Sequence, residues 1–273
     1  MIIDFHTHIF PEKIAAATLE KLRGFSGIEP DTEGTEQSLR ESMHKNGIDV
    51  SVVLPVVTAP KQFDSINRFA LEINGKDGLV SFGGIHPDCD DLASKLHLIK
   101  ETKLCGVKIH PDYQGTDIDD DRYAEILDAC VREDLYLITH AGFDCVSPQK
   151  IHCTPDGVKR LLFKVYGESV PKKRHLILAH CGGNRLWDEV ETKLCGAPVY
   201  FDLACMIRKI EPERLLRIIR SHGAENILFA SDSPWSSPSL DLEALLGLGL
   251  DEDELSLILW RNAANMLKIK HLK

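Results

Sequence analysis

The sequence contains no Cys-x-x-Cys pair, no low-complexity tract, no excess of basic residues and no apolar run near the roughly 20 residues that a membrane-spanning helix needs. Each absence excludes something. The eight cysteines, at 89, 105, 130, 145, 153, 181, 195 and 205, are nowhere closer than eight positions apart, so neither a thiol zinc box nor a dithiol redox motif can be assembled locally. The first residues lack a basic segment followed by an apolar core, so an export signal is not read, a disulfide framework is not expected and the expected location is the cytoplasm. Forty-two acidic residues against 32 Lys and Arg give a formal charge of −10, which opposes nucleic acid or an anionic membrane as a partner. The one basic cluster, Lys172-Lys173-Arg174, reads as solvated loop.

What is present is a repeating alternation. Short apolar, β-branched runs occur at residues 1–6, 47–55, 79–86, 104–110, 135–140, 175–180, 197–203 and 226–232, and the segments between them carry apolar residues at three- and four-residue spacing. Eight strand–helix repeats predict an α/β fold with a parallel sheet closed as a (β/α)₈ TIM barrel, with residues 1–273 as a single domain of the size such barrels have. Residues 24–36, rich in Gly, Glu and Pro, read as a surface excursion, and residues 251–269 as a closing helix.

Active sites of these barrels lie at the carboxyl ends of the strands. There the sequence places His6, His8, His86, Lys108, His110, His140, His180 and Asp232, so six of its 12 histidines gather at one end of the expected barrel. In "DFHTHIF", His6 and His8 share one face of a strand because side chains alternate, and two neutral imidazoles side by side form a chelating pair. His140 can supply a further nitrogen and Asp232 an oxygen, the donor set of a catalytic divalent metal with a position left for water. Zinc is the first expectation, and manganese, iron or cobalt suit the same donors.

The stretches "DFHTHIF", "LITHAG", "LILAHCGG", "ILFASDSPW" and "WRNAANMLKI", in this order, resemble the amidohydrolase superfamily, in particular its aminocarboxymuconate semialdehyde decarboxylase-like branch. The resemblance spans the whole chain. It implies a metal held by His6, His8, His140 and Asp232, with Asp232 and His180 as catalytic residues, His180 orienting or activating a water. His86, His110, His152 and Trp235, with Asp144, are candidates for substrate contact, and Asp202 in "VYFDLA" either supports a ligating histidine or caps its strand. Lys108 departs from the single-metal pattern. An ammonium about 4 Å from a divalent ion meets repulsion of about 8 kcal/mol at an effective dielectric near 20, so Lys108 must be remote, neutral or carbamylated across a second metal, with solvent or Asp112 as its other destinations.

The expected activity is hydrolysis of a small-molecule amide, ester or lactone by a metal-activated water. The alternative is non-oxidative decarboxylation of an unsaturated or aromatic acid on the same metal, for which Arg185 or Arg208 could hold the carboxylate. A metal-dependent nuclease of the TatD type gains from "GIHPDCD" but loses on net charge and on Lys108, and a non-catalytic binding barrel is the remaining class. A homodimer is left open.

Overall fold

The computed structural model describes residues 1–269. Among the described residues nine short strands follow one another: β1 (Ile3–Thr7), β2 (Val50–Val53), β3 (Leu79–Ser81), β4 (Gly83–Gly84), β5 (Gly106–Ile109), β6 (Tyr136–Thr139), β7 (Leu176–Leu178), β8 (Tyr200–Asp202) and β9 (Ile227–Leu228). Helices separate them, as the alternation predicts, except between β3 and β4, which stand either side of Phe82. The strands are buried on both faces, which is why they read as continuous apolar runs rather than as alternating ones. The helices have one apolar side. In Asp121–Arg132, Tyr123, Ile126, Leu127, Ala129 and Cys130 are buried, and the Asp120 side chain caps the first turn by accepting from the Arg122 N–H.

The described residues form two compact units. One comprises Met1–Val53, Gly75–Val80 and the chain from Asp202 onward. In it β1 and β2 are parallel, with Ile3 opposite Val50. The other edge of β1 meets the end of β9, where the Phe5 N–H donates to the Phe229 carbonyl at 2.9 Å and the His8 N–H to the Ser233 carbonyl at 2.7 Å. The predicted closing helix is three pieces: Glu252–Ser256, a π-helical turn over Leu257–Arg261, and Asn262–Leu267. The wider turn leaves a carbonyl to give away, and Ile258 accepts from the Phe229 N–H at 2.9 Å. Asn262 then donates to the Ala224 and Ile227 carbonyls at 2.8 Å each, lacing this segment to β9.

The other unit comprises Leu54–Asn74 and Ser81–Phe201. Here β4, β5, β6, β7 and β8 are parallel neighbours in chain order. The third predicted strand is interrupted at Phe82. The buried Asn67 amide accepts from the Gly84 N–H at 2.9 Å and donates to the Gly84 carbonyl at 3.0 Å, taking the place of a ladder partner. The predicted excursion is shorter than expected, because helix Glu12–Ser26 runs into it and ends at left-handed Gly27. Among the described residues no helix is long and apolar enough to cross a membrane.

Candidate metal centre

In the first unit, the ends of β1 and β9 bring three sequence-predicted ligands together. His6 Nε2 lies 3.0 Å from His8 Nε2, and the Asp232 carboxylate lies 3.5 Å from His6 Nε2 and 3.4 Å from His8 Nε2. Ligands 2.0–2.1 Å from a common ion, at angles between octahedral and tetrahedral, stand about 2.8–3.4 Å apart, so the spacing is close to that of a divalent cation's ligands. The donor chemistry fits as well, since two imidazole lone pairs at 3.0 Å repel unless a proton or a cation lies between them.

Two devices hold the set. His6 Nδ1 is hydrogen-bonded to Asp202 at 2.7 Å, and both side chains are buried. With Nδ1–H donating, the neutral ring keeps its lone pair on Nε2, the atom that faces His8 and Asp232. Asp202 thus holds His6, a candidate ligand, and it also accepts from the Ala204 N–H at 3.0 Å at the end of its strand. Asn at 202 offers a weaker, neutral acceptor. Asp202→Asn is expected to weaken metal binding about 10- to 100-fold while leaving the fold intact, measured by competition with a chelator; unchanged affinity would refute the tautomer argument.

The second device is the backbone of Asp232, whose φ of 68° is left-handed. Such a conformation costs a non-glycine residue about 1–2 kcal/mol and persists only when its surroundings impose it. The Asp232 N–H donates to the His6 carbonyl at 2.9 Å and the Trp235 N–H to the Asp232 carbonyl at 2.7 Å. Nearby Asp4 is buried, and burial pushes its carboxyl up to about 7 although Ser231 and the His6 N–H donate to it.

The second unit holds another cluster. His140 follows β6, His110 follows β5, and Asp144 lies 3.6 Å from His110 Nε2 and 3.9 Å from His140 Nε2. The His110 ring stacks on Tyr113 at 3.9 Å and on His140 at 4.4 Å, and His180 lies 4.6 Å from His140. His110 and His140 are nearly parallel, at 16°, and with Asp144 they form a second group whose ligand atoms lie within 4.8 Å of one another. Asp112 is buried 4.0 Å from His140, and burial, then repulsion from Asp144, push it up to about 6. His180, Cys181 and Gly182 are successively left-handed, and the turn they make pairs the next loop with the one after β6 through Asn184 and Gly142. Gly142 has a φ of 86°, and a Cβ there would stand 2.1 Å from the Asn184 nitrogen. Gly142→Ala is therefore expected to cost about 3 kcal/mol or more in urea unfolding, and a cost under about 1 kcal/mol would contradict the packing.

The remaining candidates are placed as follows. His86 Nδ1 accepts from the Asp88 N–H at 3.1 Å, as a turn histidine does, and burial lowers its pKa. His152 is engaged by Asp117 at 2.8 Å. Lys108 is buried, which removes solvent from its destinations. Arg185 lies over the Phe143 ring at 3.9 Å. Trp235 lines a cavity of about 260 Å³ with Ile28, Cys205, Arg208 and Lys209. Arg208 is tied there to Asp241 at 2.8 Å and to Ser236 at 3.0 Å.

A family model for amidohydrolases matches residues 3–269. The chain belongs to the amidohydrolase family. No curated protein matches it in sequence. Among solved structures, this amidohydrolase is similar to a TIM-barrel protein of Bordetella bronchiseptica, at 15% identity and a TM-score of 0.71 over 98% of each chain. It is also similar to a candidate 2-pyrone-4,6-dicarboxylic acid hydrolase of Pseudomonas putida, at 16% identity and 0.68 over 99% and 98%. A 5-carboxyvanillate decarboxylase of Novosphingobium aromaticivorans with bound manganese and 3-methoxy-4-hydroxy-5-nitrobenzoic acid resembles it at 14% and 0.71 over 98% and 97%. The fold class is the (β/α)₈ barrel, and the protein is an enzyme of the metal-dependent amidohydrolase type, a class that includes hydrolases and carboxy-lyases. A divalent metal suits this family and its His6–His8–Asp232 set.

Sequence reasoning missed Asp4, Tyr113 and the pairing of Arg208 with Asp241. Asp4 had a signal: it sits two and four residues before His6 and His8, on their face of an otherwise apolar strand.

Proposed function

We propose that this amidohydrolase hydrolyses a lactone, ester or amide of a small molecule that carries a carboxylate. The observation that carries the reading is the setting of the triad: ligand atoms of His6, His8 and Asp232 lie within 3.5 Å of one another, and the chain that follows Asp232 lines a cavity that also holds Arg208, Lys209 and Asp241. A divalent cation held there would supply polarisation of a carbonyl and a lowered pKa for water. Zinc and manganese both suit these donors. Asp232 takes a proton from the attacking water and returns it to the leaving group. His6 stays neutral and oriented by Asp202. In the cavity, Arg208 is fixed by two of its nitrogens and still has donors to offer a substrate carboxylate, with Lys209 beside it and Trp235 as an apolar wall. His140 as a further ligand and His180 as the water-orienting residue rest on the sequence resemblance. Metal content of His140→Ala and turnover of His180→Ala test them.

A second reading, decarboxylation of an unsaturated or aromatic acid, is favoured by the same pair of cations, which would hold the acid while Asp232 delivers a proton to carbon. Metal-loaded protein offered carboxylate-bearing lactones, esters and amides in ¹⁸O-water, and aromatic acids in parallel, separates the two. Label in the product, abolished by a chelator, supports hydrolysis, and carbon dioxide release assigns the second reading. Turnover that survives complete removal of metal overturns both.

A further inference from the structure

We infer that Asp4 is a positioning residue for Asp232, holding the left-handed turn that presents the Asp232 carboxylate toward a cation. The inference rests on the reading that His6, His8 and Asp232 hold the metal. Asp4 is buried within β1, on the face it shares with His6, and the chemistry proposed above gives it no task. Its oxygens turn to the loop after β9. Oδ1 accepts from the Ser231 N–H at 2.9 Å and from the His6 N–H at 3.3 Å, and Oδ2 accepts from the Ser231 hydroxyl at 2.5 Å.

The Ser231 oxygen in turn accepts from the Ser233 N–H at 2.9 Å. The residues on both sides of Asp232 are therefore roped to one buried carboxylate. Asp232 itself sits at a φ of 68°, a well that aspartate enters more readily than most residues but that its surroundings must still hold. Release of either flank lets its peptide relax toward the right-handed region, and that rotation swings the carboxylate away from the His6 and His8 nitrogens, 3.5 and 3.4 Å distant. Asp4 so acts on the metal through Asp232, touching neither ion nor substrate.

The test is binding of cobalt(II), read from its visible absorption bands, in the full-length protein. Asp4→Asn and Ser231→Ala are each expected to weaken cobalt binding about 10- to 100-fold and to shift the bands. In an Asp232→Ala background Ser231→Ala is expected to change affinity by less than about twofold, because its route to the ion is gone, and Asp4→Asn to lose clearly less than with Asp232 present, since only its bond to the His6 N–H then remains. If Asp4→Asn fails to fold, Ser231→Ala, which removes one hydroxyl, carries the comparison. Single variants within about threefold of wild type, or equal losses with and without Asp232, overturn the inference. Should Asp232→Ala alone bind cobalt as tightly as wild type, the metal reading itself falls, and the positioning role falls with it.

Discussion

Protein carrying His6→Ala together with His8→Ala is expected to purify with less than about a tenth of an equivalent of transition metal, against close to one in the wild type. The two Nε2 atoms stand 3.0 Å apart, and alanine at both positions leaves Asp232 as the one remaining donor of the triad. Loss of a supporting residue around a metal typically costs 10- to 100-fold, so loss of two direct ligands must exceed about 100-fold. His6 is buried against Asp202, and its removal strands a buried carboxylate, which costs stability as well as metal. His8 is less buried, with about 17% of its side chain exposed, so His8→Ala separates the two effects. It should lose metal and keep a wild-type near-ultraviolet spectrum. Full metal retention in the double variant, measured by elemental analysis, would remove this triad from consideration.

Asp232→Asn is expected to abolish turnover while weakening metal binding only moderately. Asparagine tolerates the left-handed backbone at φ 68°, so the fold should survive the exchange. Its amide oxygen can still face a cation, but it cannot accept a proton from water at neutral pH. General acid–base assistance is worth about 10²- to 10⁴-fold, or about 2.7 to 5.5 kcal/mol of barrier. Rate and metal content should therefore separate in this variant, whereas they fall together when a histidine ligand is lost. If the metal-loaded Asn variant works within about threefold of wild type, Asp232 is a ligand alone and the proton must move through His180.

The strands were legible because each is buried on both faces and so reads as a continuous apolar run. The His6–His8 pair was legible for a related reason: a period of two is fixed by the strand itself. What stayed hidden depends on partners far along the chain. The break in the third strand is made by Asn67, 17 residues before Gly84. The choice between Asp202 as a cap and Asp202 as a partner of His6 needed a contact across 196 residues. His86 and His152 could be placed on loops, yet the bond of His86 to the Asp88 N–H is set by turn geometry that carries no pattern in sequence, and that of His152 to Asp117 spans 35 residues. Arg208 gave no sign that Asp241 would fix it, since the two are 33 residues apart.

Over many generations, the left-handed residues His180, Cys181, Cys205 and Asp232 face two opposed pressures. Glycine would relieve the backbone at each of them by about 1–2 kcal/mol, so drift toward thermal robustness alone would replace all four. At 181 such an exchange removes a buried thiol, and at 205 it also removes the sulfur that accepts from Lys209 at 2.9 Å, but neither takes away a candidate ligand. At 232 it deletes the carboxylate that faces two imidazoles, and at 180 the ring that packs on His140. Descendants of this chain that gain heat tolerance should thus shed strain first at the two cysteines, and a lineage that has given up position 232 has given up the chemistry along with the strain.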